Sequence, residues 1–391
     1  MPYRVTLLFG KEPSSDPDSR EAVDHYRSSI ASQIAAGQTL ARLHPLTAVE
    51  SDSSNKPISA DNLTIQDRAD IISSTVELAE DDGQLVVVSK INGFPSLVEQ
   101  QIVVHKNLTI EKDINFHTGN IDCPGDLLIK GSIMSGFKVK AENLTVTGSI
   151  ENAEVECRGN LVCAGGIVAC NDYPLICGDN LWCKYLENSR IEVKNNIFIA
   201  GSSLHSFLKA GNNIVLCHSS AVLVGGKSEA GNSLYSGILG AKWATPTEII
   251  LGCEPFLAKK LDDHNQQLEK LETELEELHE RVEQINTFLQ HEEGRTTPHD
   301  AHRLQEEREL IESKLNYIMQ KHKVGLTKRD DLTNRIGTFK KTNSDCNLHV
   351  SKHLFSGIRL TIKDAETRIE EESPPTILTV DDLQGEIINS R

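Results

Sequence analysis

Nine cysteines and fourteen histidines are the residues of this 391-residue chain best suited to metal or redox chemistry, so their spacing decides what they can do. Cys157, Cys163, Cys170, Cys177 and Cys183 are separated by 6, 7, 7 and 6 residues, without the CxxC pair that structural zinc sites use. Four of them fall in step with a repeated unit: Cys157 and Cys177 stand three residues before an asparagine, Cys163 and Cys183 three after one. In an alternating strand all four point inward, where a free thiol packs as a small hydrophobe. A core ladder is expected, and no metal site. Of the close histidine pairs, His349/His353 falls in an expected strand or loop, where its spacing does not set two rings on one helical face, and His299/His302 sits at the tip of a helical hairpin, open to solvent or to a partner. No GxGxxG, no phosphate loop with lysine and serine and no GxSxG elbow occurs. No catalytic residue, cofactor or metal ligand is therefore expected.

Carboxylates need separate attention, because parallel β-solenoids include polysaccharide-cleaving enzymes that cluster acids on one face. Here the stacked outer positions alternate in sign: Lys138 over Glu154, Lys140 over Glu156, Glu192 beside Lys209. Opposite charges support neighbouring strands and do not raise an acid's pKa as a pair of like charges would. An acyltransferase of the left-handed hexapeptide class would need a strict six-residue aliphatic period, which fails at Tyr173, twelve residues after Leu161.

The elements that position these residues come from one pattern. It recurs as NLTI (Asn107–Ile110), DLLI, NLTV, NLVC, NLWC, NIFI, NIVL and NSLY (Asn232–Tyr235), with starts 19, 17, 17, 20, 16, 17 and 19 residues apart. Apolar positions alternate within each unit, which means strands, and about 17 residues suit one turn of a parallel β-solenoid. Eight turns would make a rod roughly 40 Å long. The opening Asn or Asp is expected at a corner, tolerating left-handed backbone angles and forming a ladder of amides, with a glycine just before it for the bend.

From Leu257 the period changes. Leu261, His264, Leu268, Leu271, Leu275, Leu278, Val282, Ile285 and Leu289 advance by threes and fours, as a heptad seam does. Gly294 interrupts it, and Thr297-Pro298-His299-Asp300 restarts a helix carrying Leu304, Ile311, Leu315, Ile318, His322, Gly325, Leu332, Ile336 and Phe339. Two helices of about 34 and 40 residues should fold back as an antiparallel coiled-coil hairpin some 50–60 Å long. Its tip, with Glu292, Glu293, Arg295, His299 and Asp300, is a candidate docking point for a partner. After Lys341 strands return (NLHV, LFSGIRLTI, TILTV) and are expected to cap the solenoid, with a mobile acidic tail.

The division expected is a small α+β domain over 1–90, the β-helix over 91–254, the hairpin over 255–341 and the capping strands over 342–391. Within the first part, Val5, Leu7 and Phe9 suggest a strand and Val23, Tyr26, Ile30 and Ile34 a helix ended by Gly37. Val49 to Asp61 suggests a loop, Asp67 to Ala79 a second helix, and Leu85–Val88 a strand. A net charge of −17 disfavours nucleic-acid partners. No apolar run reaches the roughly 18 residues of a membrane span, the N-terminus is too short for a signal core, and an odd cysteine count suits a reducing cytoplasm.

Phe116 to Ile167 resembles the signature of the flagellar assembly protein A-type family of bacteria. The matching residues are TGNI (Thr118–Ile121), GDLLIKGSI, the GF-x-VKA step (Gly136–Ala141), ENA (Glu151–Ala153) and GGI (Gly165–Ile167), with the inserted helical hairpin. The chain departs from the pattern at Cys157, Cys163, Cys177 and Cys183 and at the lengthened turn Asn171–Pro174. The resemblance implies a mainly β fold with α, a right-handed parallel β-helix carrying the hairpin. It implies flagellar or polar factors as protein partners, a link to motility and recruitment to the cell pole. A non-enzymatic scaffold, with homo-oligomerisation open, is the expected function. The alternatives are a polymer-former like the bactofilins, whose solenoid ends must be exposed, and a solenoid carbohydrate-active enzyme.

Overall fold

Each repeated unit folds as one turn of a parallel β-solenoid, about eight turns in all, and two long helices interrupt it near its C-terminal end. The computed structural model describes residues 3–9, 33–45, 63–291, 298–342, 346–381 and 384–389. Three stacks of strands make three faces. One stack runs through Leu108–Ile110, Leu127–Ile129, Leu144–Val146, Leu161–Val168, Leu181–Glu187, Ile197–Ile199, Ile214–Leu216, Leu234–Leu239 and Asn347–Leu354, every neighbour parallel and in register over its first two or three pairs, with a shift after Cys163 and after Ser236. Because register is kept, like side chains stack. Leu127, Leu144, Leu161, Leu181, Ile197, Ile214, Leu234 and Leu348 form one continuous buried column. The core is closed without the helices, since no residue of either helix belongs to it.

Two corners differ in mechanism. At the corner before this stack, amides run as a ladder: the Asn143 Oδ1 accepts from the Asn160 N–H (2.8 Å), Asn160 Oδ1 from Asn180 Nδ2 (3.1 Å), and Asn180 Oδ1 from Asn196 Nδ2 (3.0 Å). These asparagines are not left-handed, contrary to expectation. Left-handed residues occupy another corner, about one per turn: Gly136, Asn152, Ala169, Asn188, His205 and Gly225. The glycines before the ladder serve close approach instead. A β-carbon on Gly125 would come 2.5 Å from the Asn107 Oδ1.

Ile358–Ile362, expected to cap the end, is a further parallel rung paired with Thr247–Leu251. Antiparallel strands do the covering: Ala365–Ile369 lies on Ile358–Ile362, and Thr376–Asp381 on Asn347–Val350. The tail, expected to be mobile, adds Glu386–Asn389 to that cap, because the edge of Leu378–Asp381 offers it a ladder of backbone partners.

At the N-terminal side the parallel rungs begin at Leu108 rather than at residue 91. An antiparallel pair, Phe94–Val98 with Gln101–His105, comes first, and Phe94 packs onto the solenoid core. Before it lies a five-stranded antiparallel sheet with its own core of Val5, Leu43, Ile65, Ile71 and Val87. The helix expected over Asp67 to Ala79 is instead one 3-10 turn, Arg68–Ile71, and then a strand, Val76–Asp81, which pairs with Gln84–Ser89. Ile34, expected to end a helix, makes an isolated bridge with Gly93. The other members of that stripe, Val23, Tyr26 and Ile30, and the loop expected over 49–61, lie outside the described residues.

The helices are α1, Pro255–His291, and α2, Pro298–Thr342. Their partners descend along one as they ascend along the other: His264 with Gly325, Glu272 with His322, Glu274 with Lys314, Arg281 with Glu307. They run side by side in opposite directions.

Candidate interaction surfaces

The cysteines stack as their spacing requires. Cys157 is the register partner of Cys177, and Cys163 of Cys183, all four buried. Their columns otherwise hold Ala141, Val193 and Ala210, or Val146 and Ile199, so a thiol fills a slot sized for a small aliphatic group. Three of these thiols have a carbonyl acceptor nearby: Cys157 Sγ lies 3.1 Å from the Glu142 oxygen, Cys177 Sγ 3.1 Å from that of Gly159 and Cys163 Sγ 3.4 Å from that of Gly148. A hydrogen bond to Cys177 and burial push the Cys157 thiol up, and burial raises Cys163 to about 11. Thiols held protonated are poor nucleophiles and poor ligands. Among the described residues no group of three or more His, Cys, Asp or Glu could hold a metal ion.

The ionic stack over Lys138–Ala141 and Glu154–Cys157 has the expected pairs, Lys138–Glu154 and Lys140–Glu156, both at 2.6 Å. Glu192 and Lys209 are register partners, but their ion pairs go elsewhere: Glu192 to Lys259 of α1 at 3.6 Å, Lys209 to Glu229 at 3.8 Å. Lys259 thus ties the root of α1 to the solenoid wall, and Lys340 ties the end of α2 to Asp364 at 2.5 Å.

Along the helical pair, Leu268, Ile285, Leu315, Ile318 and Leu332 are buried, and Leu271, Leu275, Leu278, Val282 and Ile311 are half-buried. Between the helices, His264 Nε2 lies 2.9 Å from the Gly325 carbonyl. Of the tip, Glu292, Glu293 and Arg295 fall outside the described residues, and His299 and Asp300 lie in the first turn of α2.

Sequence reasoning passed over a second surface. On the asparagine-marked face the outward column reads Thr109, Leu128, Thr145, Val162, Trp182, Phe198, Val215, Tyr235, His349. Trp182 stacks on Phe198 (ring centres 5.3 Å apart) and Tyr235 on His349 (4.6 Å). Trp182 is still 40% exposed and Tyr235 39%, so stacking leaves an apolar face open to water. The signal was in the third letter of each unit, once the NSLY unit is moved one residue on to begin at Ser233: T, L, T, V, W, F, V, Y and H contain no charge. Burial lowers the His349 pKa and keeps that ring neutral.

A family model described as FapA, the flagellar assembly protein A beta solenoid domain, matches residues 106–387. No curated protein and no solved structure matches the chain. No helix among the described residues is long and apolar enough to cross a membrane.

Proposed function

The chain belongs to the flagellar assembly protein A family of β-solenoid proteins, and on that premise we propose that it is a non-catalytic scaffold for flagellar assembly. It would hold partner proteins on a stiff solenoid and on a projecting antiparallel coiled-coil hairpin. The observation that carries this reading is the separation of the two parts: a closed solenoid core, and 82 helical residues (37 and 45) anchored by Lys259–Glu192 and Lys340–Asp364 at their root. Such an arm reaches into solvent without being needed for the fold, and a rigid repeat array offers extended rather than concave surfaces. The raised thiols of Cys157, Cys163 and Cys183 are poor nucleophiles, and the opposite-charge ladder pairs its acids with lysines.

In this reading the protein acts in the cytoplasm, at the cell pole where flagella are built, and the tip from Glu292 to Asp300 meets a partner. Polymerisation of the bactofilin kind is disfavoured by the antiparallel cap, which occupies the backbone edge that end-to-end stacking would use. The test is motility in a flagellated bacterium that encodes the chain. A deletion strain should lose flagella or swimming, the full chain should restore them, and a chain with residues 255–342 replaced by a short linker should not. Normal swimming of the deletion strain overturns the role, and full rescue by the armless chain overturns the part given to the hairpin.

A further inference from the structure

We propose that the apolar face from Thr109 to His349 is a contact between two copies of this chain, related by a two-fold axis parallel to the solenoid axis. In a chain of net charge −17 most approaches between copies bring acids together. The outward column of this face has no carboxylate, lysine or arginine. At its middle is a shallow, mostly apolar hollow of about 300 Å³ among Val162, Ala164, Trp182, Phe198 and Cys217, with Lys184 on its edge, open to the side chain of a facing sheet.

The charges at the rim identify the occupant. On the asparagine edge stand Lys106, Asp126 and Asp179, and on the opposite edge of the same three rungs stand Glu111, Lys130 and Lys184. A two-fold parallel to the solenoid axis sets every rung against its own copy and reverses the strand direction. Asp126 then faces Lys130 squarely, Asp179 stands one residue off from Lys184, and Lys106 comes up between Glu111 and Lys112, each contact occurring twice. In two of the three rungs an acid meets a lysine. Glu142, also on the asparagine edge, has neutral Thr147 opposite and lies one rung, about 4.8 Å, from the level of Lys130. Within one chain Lys130 already reaches Glu111 at 2.9 Å, so the second copy extends an existing pair into a network.

Size sets the strength. Nine stacked strands span about 38 Å and five residues across span about 13 Å, so two faces bury on the order of 1,000 Å². That is the lower limit for a specific contact, so the dimer should dissociate reversibly, on the order of micromolar.

The test is sedimentation equilibrium of the full chain across a hundredfold concentration range, with folding checked by circular dichroism. A monomer–dimer equilibrium is expected. Trp182→Ser and, separately, Lys184→Asp should each weaken it at least tenfold while leaving the spectrum unchanged. Asp179→Lys should weaken it as well. An equimolar mixture of the Lys184→Asp and Asp179→Lys chains should regain wild-type association, because only the mixed pair restores both contacts. A chain that stays monomeric throughout, one that grows beyond a dimer, or one indifferent to Trp182→Ser overturns the proposal. A mixture no better than its components overturns the two-fold arrangement.

Discussion

Leu268 of α1 occupies the space that a side chain at Gly325 of α2 would need: a β-carbon there would lie 2.5 Å from the Leu268 Cδ2. Both residues are buried, and the His264 ring bonds the Gly325 carbonyl beside them, so α1 packs a side chain where α2 has none.

Gly325→Val should therefore force the helices apart. Alanine would recover about 1 kcal/mol of helix propensity against the displacement of Leu268. Valine gains less helix propensity than alanine and adds more bulk, and should cost about 1–3 kcal/mol. The measurement is the melting midpoint of the helical circular dichroism signal; an unchanged midpoint would mean that Leu268 relocates freely.

Replacing Leu271, Leu275 and Leu278 together by lysine puts three charges along the half-buried seam. The helical signal should fall, while the strand signal and the denaturation midpoint of the solenoid stay in place, because the solenoid core contains no helical residue. Joint loss of both signals would falsify the independence of the two parts.

Asn180 sits in mid-ladder, donating to Asn160 Oδ1 and accepting from Asn196. Asn180→Ala leaves both neighbours short of a partner and should lower solenoid stability by about 1–3 kcal/mol, read as a shift in the urea midpoint at constant slope. A shift below the measurement error would mean that water replaces the amide at no cost.

The buried thiols predict alkaline sensitivity. Burial raises Cys163 from 9.0 to about 11 and Cys253 from 9.0 to about 12. Above pH 9 the unfolded chain releases these protons while the folded chain keeps them, so stability is fully present below pH 9. It declines as the pH rises towards 11 and 12. Two units on fully buried Cys163 correspond to roughly 3 kcal/mol. Urea midpoints from pH 8 to 11 should fall, and Cys163→Val should flatten part of the slope. A curve identical to wild type would remove Cys163 as a source.

How much of this was legible in the sequence depended on period. The NL-x-x units and the Leu268–Ile285 seam repeat often enough for pattern alone to assign them, and the cysteine stacking followed from the same alignment. Asp67 to Ala79 defeats pattern reading because its apolar residues fit a helix, while pairing of Val76–Asp81 with Gln84–Ser89 decides the outcome. The cap was misplaced for a related reason. Ile358–Ile362 reads as a strand in either role, and only its partner, Thr247–Leu251, makes it a rung. The aromatic column was visible letter by letter, yet each residue alone is an ordinary exposed side chain, and only stacking at every rung makes it a surface.

The helices leave the solenoid and return at nearly one point. A β-carbon on Gly252 would come 3.0 Å from the Cys346 Sγ, although 93 residues separate the two in sequence. Thr247–Leu251, before the helices, and Ile358–Ile362, after them, pair in unbroken register across that gap. Arm length is thus independent of the body that carries it. A heptad added to or removed from both helices moves the tip by about 10 Å and leaves the root contacts as they are. The molecule is built like a ruler with an adjustable end, whose reach can be reset to the spacing of whatever it joins.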